Sequence, residues 1–122
     1  MPRNARSYVW DALQAAGLMS DFAGGKDFMH YEADAMLRSA VERQFEIIGE
    51  ALNQLSKVDA ELAAQIPDLG RIIAFRNILI HGYAAIDDAL VWQVFTEEVP
   101  GLVDVLRGLL AALDAGAGSQ YK

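Results

Sequence analysis

The sequence contains no cysteine, only two histidines and three prolines, and its ten basic residues are outnumbered by seventeen acidic ones. Without cysteine, neither a disulfide framework nor a thiolate metal site can form. No uncharged apolar run approaches the roughly 20 residues that a membrane-spanning helix needs, and the N-terminus lacks the apolar core of a signal peptide. We therefore expect a cytoplasmic protein without membrane association.

The formal net charge of −7 argues against a broad phosphate-binding surface, because the footprint of such a surface is normally basic. Any contact with RNA must then be local and made by a few arginines and a histidine. The charge leaves room for a ribonuclease with a small site, and it suits a protein that a partner holds neutralised.

Apolar residues recur at helical spacing along most of the chain, and strand-like alternation is missing. The spacing predicts helices over about 6–23, 31–56, 59–65 and 68–81, followed by a helical segment over about 87–113. The fold class is all-α, an up-and-down bundle of four to five helices. We expect one domain over residues 1–114 and a flexible C-terminal tail over residues 115–122.

Three local signals refine this prediction. Asn4 or Ser7 can cap the first helix, and Asp87 or Asp88 can cap the last segment. Pro100 lies inside that segment, where it either kinks one long helix or begins a second one in its first turn. A glycine in mid-helix costs about 1 kcal/mol. Gly49 lies inside the long helix predicted over residues 31–56, and it therefore indicates a close approach of another helix.

The stretch from Phe75 to Tyr83 combines an arginine, a histidine and a tyrosine in an apolar helical run. Arg76 and Tyr83 are seven residues apart and so lie on one helix face. A charged Arg76 in an apolar stripe is costly unless it is paired. His81 ends the helix next to Gly82, a residue suited to a left-handed C-terminal cap. By spacing alone, core or interface roles for these polar residues stay open.

Metal binding has little support, because His30 and His81 do not form a pair at helical spacing. His30 with Asp27 and Glu32 is better explained as a solvated helix start than as an ion site. No metal ligand set is therefore assigned.

Carboxylates recur every four residues on one side of the long helix, at Glu42, Glu46 and Glu50. They form either an exposed face or a carboxylate partner for Arg76 or Arg43, because no Glu-x-x-His partner exists for a carboxylate metal helix.

The motif Arg76-x4-His81-x-Tyr83 resembles the signature of the HepT-like toxins of the HEPN superfamily. The flanking residues Phe75 and Asn77 agree with it. The block Glu46–Ala51 in the preceding long helix agrees as well, and the resemblance extends over nearly the whole chain, from about residue 6 to residue 113.

The resemblance implies a metal-independent endoribonuclease whose catalytic Arg76 and His81 form a composite site across a homodimer or a higher oligomer, with no cofactor. Its supporting residues are Asn77, Gly82 and Glu46. The chemistry suits RNA, whose 2′-hydroxyl is a built-in nucleophile. An imidazole ordinarily titrates near neutral pH and can transfer protons, while a guanidinium can hold phosphate oxygens in a bidentate fork.

For Tyr83 the resemblance implies regulation. HepT-like toxins are toxin components of type II toxin–antitoxin pairs, and a nucleotidyltransferase antitoxin adds AMP to the motif tyrosine. A plainer role also stays open, in which the Tyr83 hydroxyl bonds the motif backbone or positions His81. The alternative function is a non-catalytic HEPN module that binds a nucleotide or docks a nucleotidyltransferase. A plain dimeric scaffold is a third possibility.

Overall fold

The computed structural model describes residues 4–82 and 86–119, and over these ranges the chain forms seven helices and no strand. The helices are α1 (Ala5–Ala23), α2 (Phe28–Ala33), α3 (Ala35–Val58), α4 (Ala60–Ala63), α5 (Leu69–His81), α6 (Asp88–Glu97) and α7 (Val99–Ser119). The predicted all-α class is confirmed. None of the described helices combines the length and the apolar character needed to cross a bilayer.

Helix α3 is central, because α1 packs along one of its sides and α5 along another, while α7 packs on α1. Its residues Val41, Ile48, Leu52 and Leu55 are fully buried. Burying a side chain of this size stabilises the fold by about 1.5–3 kcal/mol. The alternating three- and four-residue spacing of the long helix therefore identified its core face correctly.

The long helix is interrupted at Asp34, whose backbone is extended (φ −113°, ψ 99°). The Asp34 carboxylate accepts a hydrogen bond from the backbone N–H of Leu37 at 3.1 Å and so caps the start of α3. The prediction of one uninterrupted helix from residue 31 was therefore wrong. The Asp34 side chain caps α3 while its extended backbone ends α2. Such a side-chain to backbone hydrogen bond competes with continuation of the helix, and the spacing of apolar residues does not reveal it.

Two of the predicted helix starts and the role of the proline are confirmed. The Asn4 side chain accepts from the Ser7 N–H at 2.9 Å, and the Asp87 side chain accepts from the N–H groups of Ala89 and Leu90. Pro100 lies in the first turn of α7, where the missing N–H costs no intrahelical bond.

Helix α7 continues to Ser119, past the expected domain boundary at residue 114. Four of the nine residues over 111–119 are alanine, the best helix former, although Gly116 and Gly118 offset part of this propensity. At residue 114 an exposed ion pair joins α7 to α1, with Arg6 Nε 2.6 Å from Asp114 Oδ1, and this contact lowers the pKa of the Asp114 carboxyl. The division into a domain and a flexible tail stays a prediction.

A buried tyrosine joins α2 to α6 and α3. The Tyr31 ring is fully buried and lies 5.1 Å from the Trp92 ring, and its hydroxyl has no hydrogen-bond partner among the described residues. Burial, and secondly the charge of Glu42, raise the pKa of Tyr31. The pKa of Glu42 is itself raised by burial and by Asp88. Arg38 Nε lies 3.7 Å from Asp88 and offsets part of this negative charge.

Candidate active site

Helix α5 carries the motif and is anchored on α3 by its apolar side chains. Leu79 is buried, and the Phe75 ring meets the Phe45 ring edge-on, with centroids 5.1 Å apart. Such edge-to-face pairs contribute about 0.5–1.5 kcal/mol beyond the buried area. The backbone positions of the motif residues are thus fixed relative to α3.

Gly49 of α3 lies directly under Arg76. A Cβ atom at position 49 would be 2.2 Å from the Arg76 Cβ and 2.6 Å from its Cγ, far inside van der Waals contact. The close helix approach that the mid-helix glycine predicted is therefore confirmed. The aliphatic stem of Arg76 lies against the α3 backbone, and only the absence of a side chain at residue 49 allows it.

The Arg76 guanidinium is held on two sides. Its Nη2 lies 2.5 Å from Oε2 of Glu50, and its Nη1 donates to Oδ1 of Asn77 at 2.8 Å. The other Glu50 oxygen, Oε1, accepts a hydrogen bond from Gln54 Nε2 at 3.1 Å. The charge that the sequence placed in an apolar stripe is thus paired, as burial requires.

Glu50 is the carboxylate that pairs with Arg76. Glu46, which the sequence assigned a supporting role, lies one turn earlier, and its carboxylate is 3.3 Å from Arg43 Nη1. The four-residue spacing showed that both carboxylates share one face of α3. Which of the two carboxylates pairs with Arg76 depends on how far α5 is shifted along α3. The residue pattern of one sequence does not contain this shift.

Gln54 was not predicted as a site residue, and Glu50 was predicted only as one of the carboxylates that could pair with Arg76 or Arg43. They stand four residues apart on a helix, a spacing at which side chains meet. That spacing was the available signal for the pair.

His81 is exposed and is the last residue of α5. It stands five residues after Arg76, so the two side chains leave the helix about 140° apart and about 7.5 Å apart along the axis. The structure therefore does not bring Arg76 and His81 together on one face of a single chain.

Gly82 follows with φ −108°, so the left-handed cap expected there is not formed. A Cβ at Gly82 would lie 2.8 Å from the Ile78 carbonyl oxygen, which accepts the Gly82 N–H at 2.7 Å. Glycine fits here through lack of a side chain rather than through a positive φ. Tyr83, the expected modification site, lies outside the described residues.

The Arg76 guanidinium opens into a groove of about 530 Å³ between α1, α3 and α5, called the Arg76 groove below. Its lining residues are Tyr8, Asp11, Arg43, Glu46, Ile47, Glu50, Ala51, Gln54, Arg76 and Ile80. Three carboxylates thus surround two guanidinium groups. A groove of this charge can hold a single phosphate at Arg76 but offers no extended basic track for a nucleic-acid backbone.

A second groove of about 630 Å³ lies on the other side of α5 and is bounded by α3, α6 and α7. We call it the apolar groove; its apolar lining residues are Phe45, Ile48, Pro67, Ile72, Ala74, Phe75, Ile78, Leu90, Val94, Val99, Leu102 and Val105. The Ile78 side chain is 51% exposed and Leu90 is 41% exposed. Consecutive residues Phe75 and Arg76 therefore face different grooves.

Within residues 4–82 and 86–119, no group of three or more histidine, cysteine, aspartate and glutamate side chains is placed to hold a metal ion. His30 is exposed, and its backbone N–H donates to Asp27 Oδ1 at 2.8 Å. Asp27 thus caps α2, which agrees with the interpretation of this cluster as a solvated helix start.

The profile of the family described as "Ribonuclease HepT-like" matches residues 12–109. A Methanocaldococcus jannaschii protein named "Putative RNase MJ1380" is 34% identical over 98 residues, which cover 80% of this chain and 89% of that protein. "Probable ribonuclease HepT" of Thermococcus cleftensis is 31% identical over 104 residues, 84% of this chain and 92% of the relative. No solved structure shows significant similarity. The match over most of its length shows that the chain belongs to the HepT-like ribonuclease family of HEPN proteins.

Proposed function

We propose that the protein is a metal-independent endoribonuclease whose composite site combines Arg76 and His81 of two copies in a homodimer. We further propose that it is the toxin of a type II toxin–antitoxin pair. Its partner is a nucleotidyltransferase antitoxin, which neutralises it by adding AMP to Tyr83. Membership of a ribonuclease family supports RNA as the substrate.

The observation that carries this proposal is the placement of the two motif side chains. Arg76 lines the Arg76 groove, whereas His81 is exposed at the helix end on a different face. A second copy related by a two-fold axis can bring its own His81 to the phosphate at Arg76. Two-fold contacts then create two identical sites.

The cleavage step needs no atoms beyond RNA and the two side chains. The 2′-oxygen attacks the phosphorus while its proton passes to an imidazole, and the bond from phosphorus to the 5′-oxygen breaks as that oxygen receives a proton. The products are a 2′,3′-cyclic phosphate and a free 5′-hydroxyl. Arg76 stabilises the negative charge that gathers on the phosphorane oxygens, and His81 transfers the proton.

The acidic lining of the Arg76 groove favours one form of the alternative function, a non-catalytic module that docks a nucleotidyltransferase and needs no phosphate at Arg76. Like charges close to a phosphate weaken its binding. Direct assay of RNA cleavage separates this alternative from a ribonuclease.

The test of the proposed function combines growth and cleavage. Expression of the protein without its partner should arrest growth, and the purified protein should cleave RNA equally well with and without a chelator. The products should carry cyclic phosphates, as detected by mass spectrometry. Cleavage that stops in the chelator would show metal-dependent chemistry, and a complete lack of cleavage would favour the non-catalytic module.

The proposed dimer uses the apolar groove, whose exposed Ile78 is the residue to change. Ala51 is buried and Ile47 lines the Arg76 groove, so neither side chain belongs to the apolar groove. Ile78→Glu should raise the dimer dissociation constant by roughly 30-fold or more, the effect of losing about 2 kcal/mol at an interface centre. Sedimentation equilibrium measures the constant.

Met36→Glu is the matched control, because Met36 is 82% exposed on α3 and lies outside the apolar groove. This variant should sediment like the unmodified protein. An unmodified protein that is monomeric at micromolar concentration would contradict the dimer itself.

Tyr83 is the proposed acceptor of AMP, on the strength of its place two residues after His81 in the family motif. Attack of the phenol oxygen on the α-phosphorus of ATP forms a phosphodiester and releases pyrophosphate. The product carries a new negative charge two residues after His81 in the sequence, and this charge is proposed to compete with substrate phosphate. Neutralisation therefore needs no unfolding of the toxin.

Tyr83→Phe keeps the ring and removes the acceptor oxygen. After incubation with the nucleotidyltransferase and ATP, the unmodified protein should gain the mass of one or more AMP groups, and Tyr83→Phe should gain none. The variant should also stay toxic when the partner is present. A mass gain that persists in Tyr83→Phe would place the acceptor elsewhere, and neutralisation without any gain would indicate inhibition by docking.

A further inference from the structure

We propose that Glu50 is a positioning residue for Arg76, holding the guanidinium so that one donor on each of its two Nη atoms remains available to a substrate phosphate. This role rests on the proposed ribonuclease function. In this role the carboxylate that contacts Arg76 helps to arrange the site.

The donors of the Arg76 guanidinium can be counted. A guanidinium has five N–H donors, one on Nε and two on each Nη. Among the described residues, Asn77 accepts one from Nη1 and Glu50 accepts one from Nη2, while Nε is buried without a partner. Two donors remain, one on each Nη, and a phosphate bound by a bidentate fork takes two.

Glu50 is itself fixed in place. Its Oε1 accepts from Gln54 Nε2 at 3.1 Å, one helical turn further along α3, and its Oε2 lies 2.5 Å from Arg76. Neighbouring Gly49 brings the Arg76 stem onto the same helix. The stem, Nη1 and Nη2 are therefore each held by a different contact, which restricts rotation of the fork about the long arginine side chain.

The Glu50 carboxylate also has a cost, because it places a negative charge close to where a phosphate binds. A carboxylate that only opposed the substrate would slow cleavage, and its removal would speed it. A carboxylate that orients the fork has the opposite effect on kcat, because a misplacement of about 1 Å can cost about 100-fold in rate. The kinetic effect of removing Glu50 thus separates positioning from obstruction.

The experiment compares three variants in RNA cleavage. Glu50→Ala should lower kcat by about 10–100-fold, the usual range for losing a residue that orients a site group, with KM unchanged within about threefold. Glu50→Gln keeps an oxygen acceptor for Nη2 and should restore kcat to within about threefold of the unmodified protein.

Glu97→Ala is the matched control. Glu97 of α6 also accepts a hydrogen bond from a glutamine four residues away, with Gln93 Nε2 3.0 Å from its Oε2, but it does not line the Arg76 groove. Its kcat should stay within about threefold of the unmodified protein, since no orienting contact to the fork is lost. An equal loss of kcat in both alanine variants would assign the effect to net charge and overturn positioning by Glu50.

A second readout does not depend on cleavage. In ¹⁵N NMR spectra, the guanidinium signals of Arg76, assigned by their loss in Arg76→Lys, report rotation about the bonds to the Nη atoms. Separate Nη1 and Nη2 signals are expected in the unmodified protein and in Glu97→Ala, and merged signals in Glu50→Ala.

The two possible failures can be told apart. Separate Arg76 signals in Glu50→Ala, or a rise of kcat in that variant, would overturn the positioning role even if RNA is cleaved. Absence of RNA cleavage by the unmodified protein would overturn the proposed function, and with it the catalytic purpose of the Glu50 contact.

Discussion

Replacing His81 by alanine is expected to lower the rate of RNA cleavage by about 100- to 10,000-fold, the usual contribution of a general acid or base. The imidazole is the motif group that can exchange a proton with the 2′-hydroxyl or the leaving oxygen. His81 is exposed at the end of α5, so its removal loses no core packing and should leave the melting temperature within about 2 °C of the unmodified protein. The rate is measured on a fluorogenic RNA substrate.

The chain supplies its own control in His30, an exposed histidine in α2. His30→Ala removes the same side chain away from the motif helix and should cleave RNA at the unmodified rate. In cells, expression of His81→Ala or of Arg76→Ala should no longer arrest growth, whereas His30→Ala should still do so. Full cleavage and toxicity in a folded His81→Ala protein would remove the catalytic assignment.

The core of the fold could be predicted from the sequence because the buried apolar residues recur at helical spacing. The apolar spacing of α3 identified residues that are buried, and Gly49 indicated a place where a second helix approaches closely. Pro100 indicated either a kink or a helix start, and the structure shows the helix start. Each of these signals is local, and each depends on the chemistry of one residue type.

Features that depend on competition or on packing between helices could not be predicted in this way. Asp34 ends one helix and caps the next inside an unbroken apolar pattern. Glu46 and Glu50 are equivalent in the periodic pattern, and only the shift of α5 along α3 decides that Glu50 meets Arg76. The motif supplied the candidate site residues, whereas the contacts that orient Arg76 belong to the tertiary structure.

Neighbouring residues of α5 line two different grooves. Phe75 and Ile78 line the apolar groove, and Arg76 lines the acidic groove on the opposite side. The proposed dimer therefore has to span both sides of α5, since its apolar contact lies on one side and the proposed phosphate position that the second copy's His81 must reach lies on the other.

Gly49→Ala should destabilise the protein by about 1–3 kcal/mol, the usual range for overpacking a tightly packed contact. Alanine is the better helix former by about 1 kcal/mol, but its Cβ would lie 2.2 Å from the Arg76 Cβ, so α5 or the arginine stem must move. Because the displaced atom belongs to Arg76, RNA cleavage should also fall, by about 10-fold or more. Thermal unfolding and the cleavage assay measure the two effects.

Gly17→Ala is the matched control for this change. Gly17 also lies inside a long helix, α1, but a Cβ there would meet no atom within 4 Å. The substitution should therefore stabilise the protein by about 0.5–1 kcal/mol through helix propensity alone and leave cleavage unchanged. Opposite signs for two identical substitutions would isolate the contact between Gly49 and Arg76 as the cause. If Gly49→Ala were stabilising as well, α5 would have to sit further from α3 than the structure places it, and the fixed orientation of Arg76 would lose its main support.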